Sequence, residues 1–443
     1  MKTESTPGTD QPAWLSDDRR CVWHPYTQML TAPAPVPVER AEGVYLYTPD
    51  GRRVLDGISS WWVNIHGHNH PRLNRALKDQ SERLAQVIFA GFTHEPASRL
   101  AAELVERTPS NLTRVFFSDD GSTAVEAALK MACQYWQNQG ETGRDLFVAL
   151  EHSYHGDTFG AMAVGGIGVF HSRFSRFLFQ VRHASLPPGS LPSGERTRLT
   201  GPPPLEEILE REGERVAAVI VEPLVQAAGG MLIWPAGFLR RIRELTRERR
   251  IPLIADEVFT GFGRTGCMFA CQHAGVEPDI ICLSKALTGG YLPLAATLAS
   301  EEIYQAFLSH DHSRTFFHGH SYTGNALACA VARENLSLFD ENGSLGRVRE
   351  LQQLFEERLD RLKEAPAVVE VRGIGALAVV ELKPEGKGGY LDQRGTAVAR
   401  TLFERGILLR PLGNVLYFLP PYVITDEEAH RVFDVLEEVL QEA

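Results

Sequence analysis

Lys285 stands at the end of a short apolar run, Asp279–Ser284, and enters Ala286-Leu287-Thr288-Gly289-Gly290. An amine among apolar walls loses the solvation of its charged form, so its pKa falls and the neutral, nucleophilic amine becomes available. Taken singly, a lysine usually snorkels to the surface. Asp256 closes a second apolar run, Pro252–Ala255. A buried carboxylate needs a cation or hydrogen-bond donors; by itself it reads more readily as a cap or a salt-bridge member. Gly121-Ser122 opens a helical pattern directly after a strand-like run. The free N–H groups and dipole of a helix start favour a phosphate, although many α/β loops share this form.

Other motifs compete. Gly261-Phe262-Gly263-Arg264-Thr265-Gly266 matches G-x-G-x-x-G after a strand. Its context is wrong for a dinucleotide: Asp256 and Glu257 end the strand, and Pro278 soon interrupts the segment. It reads as a turn needing flexible backbone. His66, His68 and His70, and later His318 and His320, invite a zinc reading. Gly67 and Gly319 interrupt both runs, no acidic or Cys third ligand is close, and ordinary polar or core histidines are the simpler account, so no metal is expected. No G-x-S-x-G elbow or P-loop occurs. The lysine, carboxylate and helix start together describe a pyridoxal phosphate site. Lys285 would form a Schiff base with the aldehyde, the helix start would hold the phosphate, and Asp256 would pair with the pyridine nitrogen, keeping the ring an electron sink.

Alternating elements must position these groups. TRVFFS (113–118) reads as a strand, and the helix of 123–136 carries Val125, Ala128, Leu129, Ala132 and Trp136 on one side. Runs at 146–151, 216–223, 251–258, 279–285 and 292–300 are short and rich in apolar residues, as strands covered on both faces are. Helices fit 205–214 and 238–250. The alternation predicts a mostly parallel α/β sheet. VYLYTPDGRRVLDG (44–57) reads as two strands about a turn. A helix at 345–364, a strand at 374–382, a helix at 394–404, two short strands near 407–419 and a last helix at 426–441 suggest a smaller α+β unit. The expected division is a disordered leader at 1–13, an N-terminal segment at 14–60 joining the small domain, a large domain at 61–334 and the small domain at 335–443.

Composition excludes several classes. The chain has 443 residues, 43% hydrophobic and 23% charged, enough for two or three globular units. Its 45 Lys+Arg against 56 Asp+Glu give −11, which disfavours nucleic-acid binding. No stretch of about 18 apolar residues predicts a membrane span. Six dispersed cysteines suit a reduced cytoplasmic setting, and the polar leader lacks the apolar core of a secretion signal.

The strings Asp256-Glu257-Val258, Thr260-Gly261-Phe262-Gly263-Arg264-Thr265-Gly266, Pro278-Asp279 and Ser284-Lys285-Ala286-Leu287-Thr288-Gly289-Gly290 resemble, in order and spacing, the signature of fold-type I, class III pyridoxal phosphate aminotransferases. The likeness extends over nearly the whole chain after the leader. Trp23-His24-Pro25-Tyr26-Thr27-Gln28-Met29, Ser59-Ser60-Trp61-Trp62 with His66-Gly67, and Tyr154-His155-Gly156-Asp157-Thr158-Phe159-Gly160 resemble a narrower group within that family. Leu409-Arg410-Pro411, followed by Tyr417 and Pro420-Pro421-Tyr422, resembles that group's C-terminal substrate segment. Its members transfer an amino group from S-adenosylmethionine to 8-amino-7-oxononanoate, giving 7,8-diaminononanoate on the biotin pathway.

The resemblance implies a large domain with a mostly parallel seven-stranded sheet, a smaller α+β domain and a homodimer with shared active sites. It implies cofactor contacts from Gly121, Ser122, Tyr154, Asp256 and Lys285. Gly319-His320-Ser321 would reach the phosphate held by the neighbouring subunit. Substrate would meet Tyr26, Trp61, Tyr154, Lys285, Gly319 and Arg410, and Lys285 and Asp256 would be catalytic in a ping-pong reaction. Two positions depart from the family: His320-Ser321 stands for its usual Pro-Thr, and Asp120-Gly121-Ser122 for Ser-Gly-Ser. Read from the residues, Arg410 offers a fork for a carboxylate or a surface salt bridge. Trp61-Trp62 offers flat walls for an aliphatic chain or sulfonium cation, or ordinary core packing. Other donors stay open, namely lysine, or ornithine, 4-aminobutyrate and related amines of another class III enzyme. A binding protein without turnover and a nicotinamide oxidoreductase are the rival classes.

Overall fold

The computed structural model describes residues 12–196, 200–386 and 388–442; of the expected leader, residues 1–11 lie outside the described residues. Seven strands form the central sheet in the order Leu112–Ser118, Ala295–Ser300, Ile280–Leu283, Leu253–Asp256, Val216–Val221, Leu146–Leu150, Val181–Ala184. The five strands from Ile280–Leu283 to Val181–Ala184 run parallel to one another, and Ala295–Ser300 is antiparallel to both its neighbours. Every residue of Leu146–Leu150, Val216–Val221, Leu253–Asp256 and Ile280–Leu283 is buried. Continuous apolar strands of this kind require cover on both faces. The mostly parallel α/β sheet expected from the sequence is thus present.

Strand direction decides where chemistry can sit. Two reversals at Ala295–Ser300 leave Leu112–Ser118 running the same way as the five parallel strands. The C-terminal ends of six strands therefore open on one sheet edge, where ligands bind in open α/β sheets. Glu222, Asp256, Lys285 and the Asp119–Ser122 turn all lie just at or beyond those ends. The helix Gly121–Asn138 buries Val125, Ala128, Leu129, Ala132 and Trp136, the expected face. Trp136 Nε1 donates to Ala217 O at 2.8 Å, pinning the helix to the sheet.

Smaller sheets flank this edge. Arg53–Asp56 pairs antiparallel with Tyr45–Tyr47 and parallel with Ile407–Leu408, so the N-terminal strands join the C-terminal part of the chain. Val368–Ile374, Leu377–Leu382 and Val415–Phe418 form an antiparallel sheet. The helix Ala326–Glu341 runs through position 335 without a break, and Asn335 Nδ2 donates to Ala286 O and Leu287 O at 3.0 and 3.1 Å. Among the described residues no helix is long and apolar enough to cross a membrane.

The run 374–382 was expected as one strand, but the backbone reverses at Gly375. This residue has φ +55°, and a Cβ on it would lie 2.4 Å from Arg264 O. The preceding strand Val368–Ile374 is only partly buried, which hides its period from sequence inspection. Gly375→Ala should therefore lower folding stability by more than about 1 kcal/mol. The check is a lower urea midpoint at unchanged m-value.

Candidate active site

Lys285 follows the strand Ile280–Leu283 and begins a short turn with its own backbone left-handed, φ +47°. Its Nζ lies 4.5 Å from the centroid of the Trp62 ring and 5.7 Å from that of Phe259. Loss of solvent pulls its pKa from the usual lysine range down to about 8, while the negative charges of Asp256 and Glu222 oppose the fall.

Asp256 is buried at the end of its strand. Its Oδ1 accepts the Val258 N–H at 3.1 Å, and Oδ2 lies 2.7 Å from His155 Nδ1. His155 Nε2 is buried without a partner among the described residues. Glu222 closes the next strand by the same rule. Its oxygens accept the N–H groups of Tyr154 at 2.9 Å and Ala227 at 3.1 Å. Burial raises its pKa to about 7, His155 opposing and Asp256 reinforcing the rise.

The helix Gly121–Asn138 begins at the same edge. Asp120 does not point a loose charge at the helix start: its Oδ1 accepts the Thr123 N–H at 3.0 Å, and Thr123 Oγ1 accepts the Asp120 N–H at 3.1 Å. This capping box leaves the first-turn amides of Gly121 and Ser122 as anion donors. Gly156, at φ +134°, packs so closely that a Cβ there would lie 2.2 Å from Ser122 Oγ. Gly121, Ser122, Tyr154, Asp256, Glu222 and Lys285 line a single cavity of about 450 Å³. That cavity presents anion donors, a buried carboxylate and a desolvated amine. A ligand with a phosphate, a protonatable ring nitrogen and an electrophilic carbon would match all three.

A second cavity of about 320 Å³ shares Trp62, Val63, Tyr154 and Lys285 with the first. Tyr26, Trp61, Phe170, Tyr390 and Arg410 add its other walls. The Arg410 guanidinium sits 4.3 Å above the Trp61 ring. The Tyr26 hydroxyl donates to Asp157 and lies 3.1 Å from that of Tyr154. Burial and Asp157 raise the Tyr26 phenol above its ordinary value. Trp62 Nε1 donates to the Tyr417 hydroxyl at 3.0 Å. Both tryptophans come from Ser59–Trp62, whose residues all have left-handed φ of 49°, 45°, 71° and 76°. For L-residues such backbone costs about 1–2 kcal/mol each, so the surroundings must hold the turn.

The structure thus gathers Gly121, Ser122, Tyr154, Asp256 and Lys285 in one cavity and Tyr26, Trp61, Tyr154, Lys285 and Arg410 in the other. Gly319, His320 and Ser321 line neither. His320 Nδ1 lies 3.4 Å from Asp119 Oδ2, and Ser321 O accepts from Gln86 Nε2 at 2.8 Å. Sequence reasoning missed Glu222, although the apolar run before it carries the signal that found Asp256. His155 was quoted only within a motif. Phe170 and Tyr390 carry no local signal. The Gly261–Gly266 segment packs inward: a Cβ on Gly263 would lie 2.9 Å from the Phe339 ring. His68 pairs with Asp56 and His66 with Asn335 O, and no cluster of three or more metal-ligating side chains occurs among the described residues.

The family model described as aminotransferase class-III matches residues 26–440. The adenosylmethionine-8-amino-7-oxononanoate aminotransferase of Synechococcus elongatus is 47% identical over 426 residues, covering 95% of this chain and 98% of the relative. The crystal structure of the enzyme so named from Methanocaldococcus jannaschii superposes with a TM-score of 0.90 at 39% identity, covering 97% and 98% of the two chains. A PLP-bound amine transaminase from an uncultivated Pseudomonas species gives 0.87 at 33% identity, covering 95% and 98%.

The lowered amine predicts a reactivity profile independent of any cofactor. In cofactor-stripped protein, trinitrobenzenesulfonate labelling of Lys285, located by mass spectrometry, should rise with pH and reach half its maximal rate near pH 8, because the ammonium form is inert. Asp256→Asn removes a charge that favours the ammonium, so its half-point should move lower still. A half-point above pH 10 would contradict a dry site.

Proposed function

The chain belongs to the class-III aminotransferase family, and we propose that it is a pyridoxal-phosphate-dependent transaminase that moves the amino group of S-adenosylmethionine to 8-amino-7-oxononanoate, giving 7,8-diaminononanoate in biotin biosynthesis. One observation carries the reading: Lys285 stands in the wall of both cavities. On one side lie a buried carboxylate and a helix start, on the other an arginine among aromatic rings. Relatives matched over nearly their whole length act, by name, on this substrate pair.

In this reading the residues divide as follows. Gly121 and Ser122 would hold the phosphate of pyridoxal phosphate, Tyr154 would contact its ring, Asp256 would pair with its nitrogen and Lys285 would carry it. Bound there, the cofactor supplies an electron sink for the pair left when a C–H bond breaks beside the migrating amine. Once free of the cofactor, Lys285 Nζ would take that proton and give it back. His155 orients the Asp256 carboxylate, which favours positive charge on a nitrogen held against it. The Arg410 fork grips the acceptor's carboxylate. Trp61 and Tyr26 cover the aliphatic chain and exclude water.

The proposal includes a cytoplasmic homodimer. Ile88, Phe92, Phe317 and Tyr322 are exposed on two segments that pack together through Gln86 and Ser321. A second copy over these segments would bring Gly319, His320 and Ser321 of the partner subunit toward the phosphate. The six cysteines are unpaired, which suits a reducing compartment.

A coupled assay tests the function, with 8-amino-7-oxononanoate as acceptor and S-adenosylmethionine, lysine, ornithine or 4-aminobutyrate as donor. S-adenosylmethionine should give diaminononanoate; product with lysine alone would replace the donor, and none with any donor would reject the function. Lys285→Ala should lower turnover about 10²–10⁴-fold. Asp256→Asn should raise the barrier by about 3 kcal/mol, read as kcat; a variant within twofold of the wild type would remove Asp256 from the mechanism.

A further inference from the structure

Asp56 lines neither cavity, yet its carboxylate is the hub of the turn that delivers the two tryptophans. It ends the strand Arg53–Asp56 and is fully buried. Oδ1 accepts the N–H groups of Ile58 at 3.3 Å and Ser60 at 3.0 Å. Oδ2 accepts the Ser60 hydroxyl at 2.7 Å and lies 2.9 Å from His68 Nε2. His68 is itself anchored by paired backbone bonds with Gly43, 3.1 and 2.7 Å long. On the other side of the turn the Ser59 hydroxyl donates to Leu419 O at 2.7 Å.

No residue from Ser59 to Trp62 is glycine, so the left-handed backbone has no intrinsic preference behind it. The acceptors that collect its amides and hydroxyl must supply that preference. If Asp56 is removed, the amides of Ile58 and Ser60 lose their buried acceptor. The turn can then relax toward right-handed backbone. Such relaxation would swing Trp61 off Arg410 and Trp62 off Lys285. We infer that Asp56, braced by His68, is a positioning residue that fixes the left-handed Ser59–Trp62 turn and thereby sets the aromatic wall of the second cavity. The consequence for substrate rests on the function proposed above for that cavity.

Asp56→Ala, Asp56→Asn and the double variant Asp56→Ala with Ser60→Gly test this in the full-length protein. Glycine adopts left-handed backbone without penalty, so it should partly replace the lost carboxylate. In Asp56→Ala, amide exchange of peptides covering residues 57–66 should quicken by about tenfold. The KM for the keto acid should rise more than kcat falls, with kcat/KM down by about tenfold or more. Asp56→Asn keeps one oxygen for the two amides and should fall between wild type and alanine. It carries the test if the alanine variant does not fold. Adding Ser60→Gly should recover at least about threefold in kcat/KM and slow the exchange. Unchanged exchange and KM on loss of the carboxylate would overturn the inference. So would a loss that the glycine leaves untouched. A wild-type protein without transaminase turnover would reject the proposed function while the exchange comparison still decided the role of Asp56.

Discussion

The site depends on keeping an amine dry while leaving a carboxylate close enough to matter. Burial alone would drive Lys285 toward a weakly basic, permanently neutral group. Asp256 and Glu222 restrain that drift, and the result is an amine poised near pH 8. The restraint works only because neither carboxylate forms a tight pair with Lys285. Asp256 is turned to His155 and the Val258 amide, and Glu222 to two backbone amides. Each acid is satisfied by its own partners and acts on the lysine at a distance. Three buried charges can then share one cavity without collapsing into a salt bridge that would remove the nucleophile.

The sheet makes this arrangement possible. Parallel neighbours bring successive strand ends to one edge, so three groups far apart in the chain arrive together without long loops. Each group sits on the last residue of a strand or just beyond it, where the backbone is rigid and the side chain is free to point into the crevice. The other residues of the second cavity come from elsewhere. Tyr26 belongs to the N-terminal segment, Trp61 to a strained turn and Arg410 to the stretch after Ile407–Leu408. The first cavity is thus built on the large sheet, and the second is assembled by chain segments that converge on it.

This division explains what was legible in the sequence. Asp256 and Lys285 could be read because each closes an apolar run and the two stand together with a helix start, a combination that one residue alone does not give. Glu222 obeyed the same rule and was available to the same reasoning. Trp61 and Arg410 needed the family resemblance, since a tryptophan pair or a lone arginine has an ordinary structural explanation. Phe170 and Tyr390 were invisible because their role comes from rings meeting across the fold, 4.8 Å apart by centroid, with no shared local pattern. The left-handed Ser59–Trp62 turn was hidden for the opposite reason: its residues lack the glycine that normally announces such backbone. The reversal at Gly375 did have its glycine, but the flanking apolar run disguised it as one strand.

The common wall of the two cavities has a cost for any attempt to redesign one substrate preference. Trp62, Tyr154 and Lys285 line both cavities, so in the proposed reaction they would meet the donor and, a half-reaction later, the acceptor. There are no separate berths to tune. Reshaping these rings for a bulkier amine would alter the grip on the keto acid by a related amount. Phe170 and Tyr390 face only the second cavity, so changing them would reshape that pocket while leaving the walls of the first one intact.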